Sequence, residues 1–439
     1  MKNSIHKPAA VELIADESNL KQSMDGIGAN TYAFPFAGSS GWKWESVKYI
    51  FDEIDIPYIR LASWFSSWET ENDNSNPDDL DLQSEVFDPD LIIRNHDMKF
   101  AKFMQERDIE LMLGIWGAAD WLTALNEDGK KIIPPEKYDE LGESIAAYLK
   151  FMRQNGVDFD LTEVQNEPDI NAAVRYADAR HLQQAAVELI RQLDKHGLEK
   201  VMIHGPNLHS PSNCAEWGSV FFDNPTVKKH SMAVSYHTWW SDDPAQYKAI
   251  KEFAAEEKMP VWATEVGYCA LKKGCTLNGK QHYLRPETWE TAWDYAMSYY
   301  RAIDWSGASR VYHWALLGHN AIVGKNGEKL PSYYIFKQFA NYIPPGSVYT
   351  GSSAEDENIL SMLFKLPDNT FSAIIINKAE KEKQIVLKPK TGAKKYKASE
   401  IVTSVENSYE RHIDAENDNA GHLVFAVPGK SITSLKFEK

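Results

Sequence analysis

Two glutamates carry the chemistry that this sequence suggests. Glu167 lies near the end of Asp160-Leu-Thr-Glu-Val-Gln-Asn-Glu-Pro-Asp169, an apolar-alternating run that closes in Gln165-Asn166-Glu167-Pro168, where a strand gives way to a loop. Glu265 holds a matching place in Val261-Trp-Ala-Thr-Glu265-Val-Gly267. Two carboxyl groups at the ends of two parallel strands suit the cleavage of a glycosidic bond. One protonates the leaving oxygen, and in the retaining variant the other attacks the anomeric carbon from about 5–5.5 Å away. Pro168 forces a turn and leaves Glu167 at the rim. A glutamate at a strand end is, by itself, more often a surface or ion-paired group, and Glu163 and Glu110 are expected at the wrong face or the wrong end.

The elements that must position the pair alternate. Strands are expected at 26–31, 58–64, 110–116, 160–165, 200–206, 232–238, 261–266 and 309–316. Helices are expected at 44–54, 91–107, 137–154, 178–196, 214–222, 244–258, 285–304 and 332–342. Strict β–α alternation implies parallel strands with crossover helices. Eight such units make an α/β fold, a (β/α)₈ TIM barrel, with its active site at the C-terminal strand ends. No Gly-rich phosphate loop supports a doubly wound sheet. Past Pro344-Pro345-Gly346 the pattern changes to short strands at 359–366, 370–377, 384–389, 396–403, 422–427 and 431–437, an antiparallel β-sandwich. The strand at 11–15, followed by a polar link, joins that sandwich. The expected division is 1–23 as the N-terminal strand, 24–344 as the catalytic barrel and 345–439 as the β-sandwich.

The polar residues that end these strands form a ring of candidates. They are Asn30, Arg60, Trp116, Asn166 with Glu167, Asn207, Tyr236-His237-Thr238-Trp239, Glu265 and Trp314. A cation beside a carboxylate lowers its pKa, so Arg60 is expected to hold Glu265 ionised. Asn166 is expected to hydrogen-bond a sugar 2-OH, His237 or Tyr236 to position Glu265, and Trp314 and Trp116 to form the floor and wall of a subsite. Asn207 and Trp239 complete the substrate contacts. His204 and His313 are expected to be satisfied core histidines, and Trp262 and Trp305 to be packing. The acidic loop 69–81 reads as a solvated loop or as a cleft wall.

Composition narrows the function classes. Sixty-three acidic against 47 basic side chains give a formal charge of −16, which argues against nucleic acid as a partner. Fourteen Trp and 20 Tyr fit a large core or sugar-ring stacking. No apolar run reaches the ~20 residues of a membrane span. Residues 1–8 contain no apolar h-region, so the protein is expected to be either cytoplasmic or secreted, periplasmic or cell-surface with a signal removed. Cys269 and Cys275 could pair, leaving Cys214 free. No CxxC pair or HExxH motif marks a zinc site.

These motifs resemble those of clan A glycoside hydrolases. Asn166-Glu167-Pro168 looks like the clan's acid/base motif on strand four, and Thr264-Glu265-Val266-Gly267 like its nucleophile motif on strand seven. Arg60 and Trp314 fall where the clan keeps an arginine and a strand-eight tryptophan. The layout is most similar to glycoside hydrolase family 30, with Met24-Asp-Gly-Ile-Gly-Ala29 standing for its first-strand start and Val427-Pro-Gly-Lys-Ser-Ile-Thr-Ser434 for its final strand. Family 39 shares the layout. The resemblance implies a retaining β-glycoside hydrolase with Glu167 as acid/base and Glu265 as nucleophile. It implies no metal and no organic cofactor. The implied substrates are β-linked glucosyl, galactosyl, xylosyl or fucosyl units, with β-1,6-glucan or galactan and xylan as polymers. Lys272, Lys273 and Arg285 are candidates for an anionic group. Long loops after strands two, three and seven favour a pocket. A monomer is the default expectation. Two other readings stay open: a catalytically silent carbohydrate-binding protein, and a metal-dependent hydrolase built on His204, His237 and His313, which EDTA would expose.

Overall fold

The computed structural model describes residues 10–32, 42–84, 86–87, 92–170, 174–267, 276–277, 280–281, 286–318, 320–390 and 395–439, with side chains described for none of 92–96, 276–277 and 280–281. Eight parallel strands close into a barrel: Ile27–Thr31, Tyr58–Trp64, Glu110–Trp116, Leu161–Thr162, Met202–Leu208, Ser231–His237, Val261–Val266 and Ala308–His313. They are called strands one to eight below. The main helices that follow them include Ile92–Gln105, Tyr138–Gln154, Ala179–Lys195, Pro244–Glu257 and Pro331–Tyr342. The helix expected at 44–54 is broken into Trp44–Val47 and Ile50–Glu53, and 285–304 resolves into Trp289–Tyr300 plus a π-turn at Arg301–Trp305.

Side chains alternate in and out along each strand. At the bottom of the barrel Tyr58, Met112, Leu161, Ala233, Trp262 and Tyr312 pack together. One step higher the inward positions are polar. Strand four is shorter than 160–165 for a specific reason. The backbone N–H of Ile115 is taken by Glu163 Oε1 at 3.0 Å, so the ladder stops at Thr162. Strand seven shifts register against strand six between Ala263 and Glu265, a bulge that lets Thr264 and Glu265 both address the interior.

Two short hairpins aside (Ala124–Leu125 with Lys131–Ile132, Thr276–Leu277 with Lys280–Gln281), the other described strands form one ten-stranded sheet. Its order is Ser408–His412, Lys397–Val405, Ser431–Glu438, Phe371–Asn377, Ile359–Lys365, Val348–Ala354, Val11–Ser23, Lys383–Pro389, Leu423–Val427 and Glu416–Asn417. Strands from both halves share one apolar cluster, with Leu13, Ile375, Leu387, Ile401, Phe425 and Leu435 among its members, so the sheet curls over itself. The sheet is mixed rather than purely antiparallel, because Val11–Ser23 runs parallel to Lys383–Pro389. The polar link expected after residue 15 is also strand, paired irregularly with Val348–Ala354 through Ser23. Phe371–Asn377 is buried on both faces. Ala373 and Ile375 enter the sheet's own core, while Ile374 and Ile376 join the barrel's. A continuous apolar run is what such a doubly covered strand needs.

Candidate active site

Arg60 organises the middle layer of the barrel. Its guanidinium is fully buried and all five N–H groups are used. Nε and Nη2 fork onto Glu163 at 3.0 and 2.7 Å, Nη2 also reaches Asn166 Oδ1 at 2.7 Å, and Nη1 reaches Asn30 Oδ1 at 2.9 Å and Glu265 Oε1 at 2.8 Å. Gly114 makes room for it, since a methyl group there would lie 3.1 Å from Nε.

Glu163 therefore does not sit at a wrong face. It points into the barrel, accepts from Asn207 Nδ2 at 3.0 Å, and stands 3.4 Å from His204 Nε2. Burial would raise its pKa, but Arg60 and His204 hold it at about 2, so it is a permanent anion. Alternation counted four residues back from Glu167 already puts Glu163 on the same face as Glu167, so a signal for it was present in the sequence.

Glu167 has φ +47°, a left-handed conformation that is uncommon for a residue with a side chain and clusters at functional sites. Its carboxyl is 21 % exposed, and burial pushes its pKa up to about 7 against the opposing effect of His209. Glu265 is buried. Burial, joined by the neighbouring Glu167 carboxylate, raises its pKa above the usual carboxylate range, and His237 and Arg60 offset this only in part; the Trp239 indole N–H donates to it at 3.2 Å. His237 connects the two: Nδ1 lies 3.0 Å from Glu167 Oε1 and 3.2 Å from Glu265 Oε2. Burial pushes the imidazole down to about 4, so it is neutral and donates one N–H between two carboxyls.

A carboxylate oxygen of Glu167, one of Glu265 and a ring nitrogen of His237 all lie within 4.8 Å of one another. Two glutamates this near correspond to the retaining spacing of about 5–5.5 Å, not to the inverting 6.5–9.5 Å. The same three groups have the donor types of a cation site, but Arg60 already places a positive charge 2.8 Å from Glu265. The histidines of the metal-hydrolase alternative are not brought together. His204 bonds Ser235 Oγ at 2.8 Å, and His313 bonds the Tyr299 hydroxyl at 2.5 Å and stacks on Phe336.

Aromatic rings line the mouth. Trp116 and Trp314 stack with centroids 5.1 Å apart, and Tyr32 presents its edge to both at 5.7 and 5.3 Å. Trp239 lies against Gly267, where a methyl group would fall 2.1 Å from the indole ring. Two expectations are corrected. Tyr236 faces outward, its hydroxyl 2.7 Å from Ser306 Oγ and its ring against Tyr247, because its neighbour His237 takes the inward position. Asn207 spends both ends of its amide on protein, on Glu163 and on Thr264 Oγ1 at 2.6 Å, so it braces the site. Trp262 packs in the barrel floor and Trp305 against Tyr247.

Sequence reasoning missed Glu163 as a site residue, and it missed Tyr32, His209 and Trp240. His209 Nδ1 lies 2.5 Å from Asp169 Oδ2 and its ring packs on Trp240, which is 47 % exposed. A usable signal for these two was present: both fall within three residues of a predicted strand end. Lys272, Lys273, Arg285, Cys269 and Cys275 lie outside the described residues, while Cys214 is a buried free thiol.

Solved structures match the chain over almost its whole length. A family 30 endoxylanase from Clostridium papyrosolvens C71 superposes with TM-score 0.73 at 15 % identity, covering 98 % of this chain and 100 % of its own. This is the fold of family 30 glycoside hydrolases. A family 30 subfamily 8 xylanase from Clostridium acetobutylicum gives 0.72 at 14 % identity with 98 % and 100 % coverage. An endo-β1,6-glucanase gives 0.69 at 16 % identity with 97 % and 93 % coverage. No protein-family model and no curated protein sequence matches the chain. Among the described residues no helix is long and apolar enough to cross a membrane.

Proposed function

We propose that this protein is a retaining β-glycoside hydrolase acting by double displacement. The observation that carries the reading is the Glu167–His237–Glu265 arrangement, in which two carboxyls face each other and Arg60 and Trp239 donate to Glu265. Glu265, hydrogen-bonded by Arg60 and Trp239, attacks the anomeric carbon as an anion. Glu167, raised to about 7, gives its proton to the departing glycosidic oxygen. The C–O bond to the leaving group breaks as the bond to Glu265 forms. Glu167 then takes a proton from water, which releases the sugar from Glu265 with its original configuration.

Arg60 donates to Asn166 Oδ1 at 2.7 Å, and in this reading the Nδ2 end of the amide serves a sugar hydroxyl. Trp116 Nε1 is buried and lacks a protein acceptor, which suits a second hydroxyl. The stacked Trp116 and Trp314, with Tyr32, supply the apolar surface on which a pyranose ring rests. The matched folds act on xylan and β1,6-glucan, and these β-linked polymers are the substrates we favour. Such polymers do not cross membranes, so the reading carries with it a site of action outside the cytoplasm.

A panel of aryl β-glycosides and β-linked polysaccharides, run beside Glu265→Gln, tests the assignment. Turnover that disappears in the variant, together with a covalent adduct on Glu265 from a 2-fluoro-glycoside, is expected. Absence of turnover on every β-glycan would leave a carbohydrate-binding protein as the better reading.

A further inference from the structure

A second acidic group lies away from the catalytic pair, between the loop that follows strand two and the helix Tyr138–Gln154. Glu69 and Glu143 are 0 % and 1 % exposed, yet among the described residues Glu69 Oε2 and both carboxylate oxygens of Glu143 have no hydrogen-bond partner. Asn72 Oδ1 and Glu140 Oε2 nearby are likewise buried acceptors without donors. A buried carboxylate normally has a donor or a counter-charge, and one without either is costly. The groups acting on Glu143 are its burial and the carboxylates of Glu69, Asp73 and Glu140, all pushing in one direction, up to about 9. Glu69 is driven by burial up to about 8, relieved in part by the Ser144 hydroxyl. The Asp73 N–H reaches the other oxygen of Glu69, Oε1, at 3.4 Å.

We propose that Glu69, Asp73 and Glu143 form a binding site for a hard divalent cation, with calcium preferred. One oxygen from each of the three lies within 4.8 Å of the others, the span of two oxygens on opposite sides of an ion held at about 2.4 Å. The donors are all oxygen, which disfavours zinc. Glu143 has both oxygens available for bidentate contact, and Asn72 and Glu140 stand beside it to extend the shell. That many protein ligands suits calcium, whereas magnesium retains most of its water. The chain is already drawn together here: Trp68 Nε1 donates to Ser144 O at 3.0 Å, and Trp121 Nε1 donates to Glu69 O at 2.9 Å. A bound cation ties the loops after strands two and three to the helix behind them. Its role is to hold the wall of the mouth, not to take part in catalysis.

The test is calorimetric titration of calcium chloride, and separately magnesium chloride, into chelator-treated full-length protein, with thermal unfolding measured alongside. We expect one calcium per chain, and calcium at 100 times its Kd raising Tm by about 3 °C. Glu143→Gln should weaken binding at least tenfold while unfolding in EDTA no earlier than wild type, because the amide removes an unpaired buried carboxylate. Asp73→Asn, in the partly exposed loop, should weaken binding similarly and guards against a folding defect in the first variant. Glu265→Gln should bind calcium as wild type does. The proposal is overturned if wild type shows neither heat nor a Tm shift, if both loop-site variants bind calcium like wild type, or if Glu265→Gln abolishes binding. A wild type whose stability falls from pH 5 to 9 equally with and without calcium would show that protons, not a cation, neutralise the cluster.

Discussion

Arg60 and Glu163 meet fork to fork inside the barrel, Nη2 to Oε1 at 2.7 Å and Nε to Oε2 at 3.0 Å, with both side chains at most 1 % exposed. The pair lies beneath the proposed nucleophile and shares its guanidinium with it. Removing one partner of a buried ion pair leaves the other uncompensated, at a cost of about 3–5 kcal/mol. Glu163→Ala should lower stability by that order in denaturant melts. Its kcat should also fall in the folded fraction, since Arg60 would turn towards Glu265 and recruit water. A variant as stable as wild type would contradict the pairing.

The pH profile should follow Glu167. Its carboxyl must be protonated to act as acid, and burial places its pKa at about 7. kcat/KM should therefore fall as pH rises through about 7. Glu167→Gln should flatten that limb, lose turnover of substrates with poor leaving groups and keep much of it for dinitrophenyl glycosides, whose departure needs no proton. Azide should then restore activity as a nucleophile that needs no general base. A basic limb that persists in Glu167→Gln would assign it to another group.

His237 acts through the groups it orients. Its imidazole is neutral above about pH 4, so His237 itself should contribute no titration between pH 5 and 8. His237→Ala removes an N–H that favours the charged form of Glu167, so the Glu167 pKa should rise and the basic limb should move to higher pH. A loss of about 10²-fold in kcat is expected, the size found for deleting one preorganised donor. A drop in rate with an unmoved limb would point to a structural role only.

Gly267→Ala reaches the nucleophile indirectly. The new methyl group collides with the Trp239 ring, which must swing away and withdraw its N–H from Glu265. Trp239→Phe removes the same donor without the collision. Both should reduce kcat/KM by a similar factor of about 10 to 10², and Gly267→Ala alone should also cost stability.

Trp240 offers a separable effect. With 47 % of its surface exposed beside His209, it can change to Ala within about 0.5 kcal/mol of wild-type stability. KM for oligosaccharides should rise while aryl monosaccharides are unaffected, if this ring supports a second sugar.

Much of this architecture was legible in the residues. Strands Tyr58–Trp64, Glu110–Trp116 and Val261–Val266 fall at the expected residues, because each is a short, mainly apolar run that begins just past Pro57, Asp108 or Pro260. Two kinds of feature were not legible. Alternation puts Glu163 on the face of Glu167, but that its side chain replaces a backbone partner for Ile115 shows only in the fold. Where two neighbours are both plausible, as Tyr236 and His237 are, only the register with adjacent strands decides which one faces inward. Tyr32 directly follows the first predicted strand, but its place in the site depends on Trp116 and Trp314 opposite it.

The strand Val11–Ser23 lies inside the ten-stranded sheet, between Val348–Ala354 and Lys383–Pro389. A ribosome delivers this strand early and both of its neighbours late. At about 5–20 residues per second, the delay approaches a minute at the slow end. During that interval the strand has two bare edges and a barrel assembling beside it. The polar sequence of its second half, Asp16-Glu-Ser-Asn-Leu-Lys-Gln-Ser23, then keeps a waiting segment from pairing with the wrong neighbour.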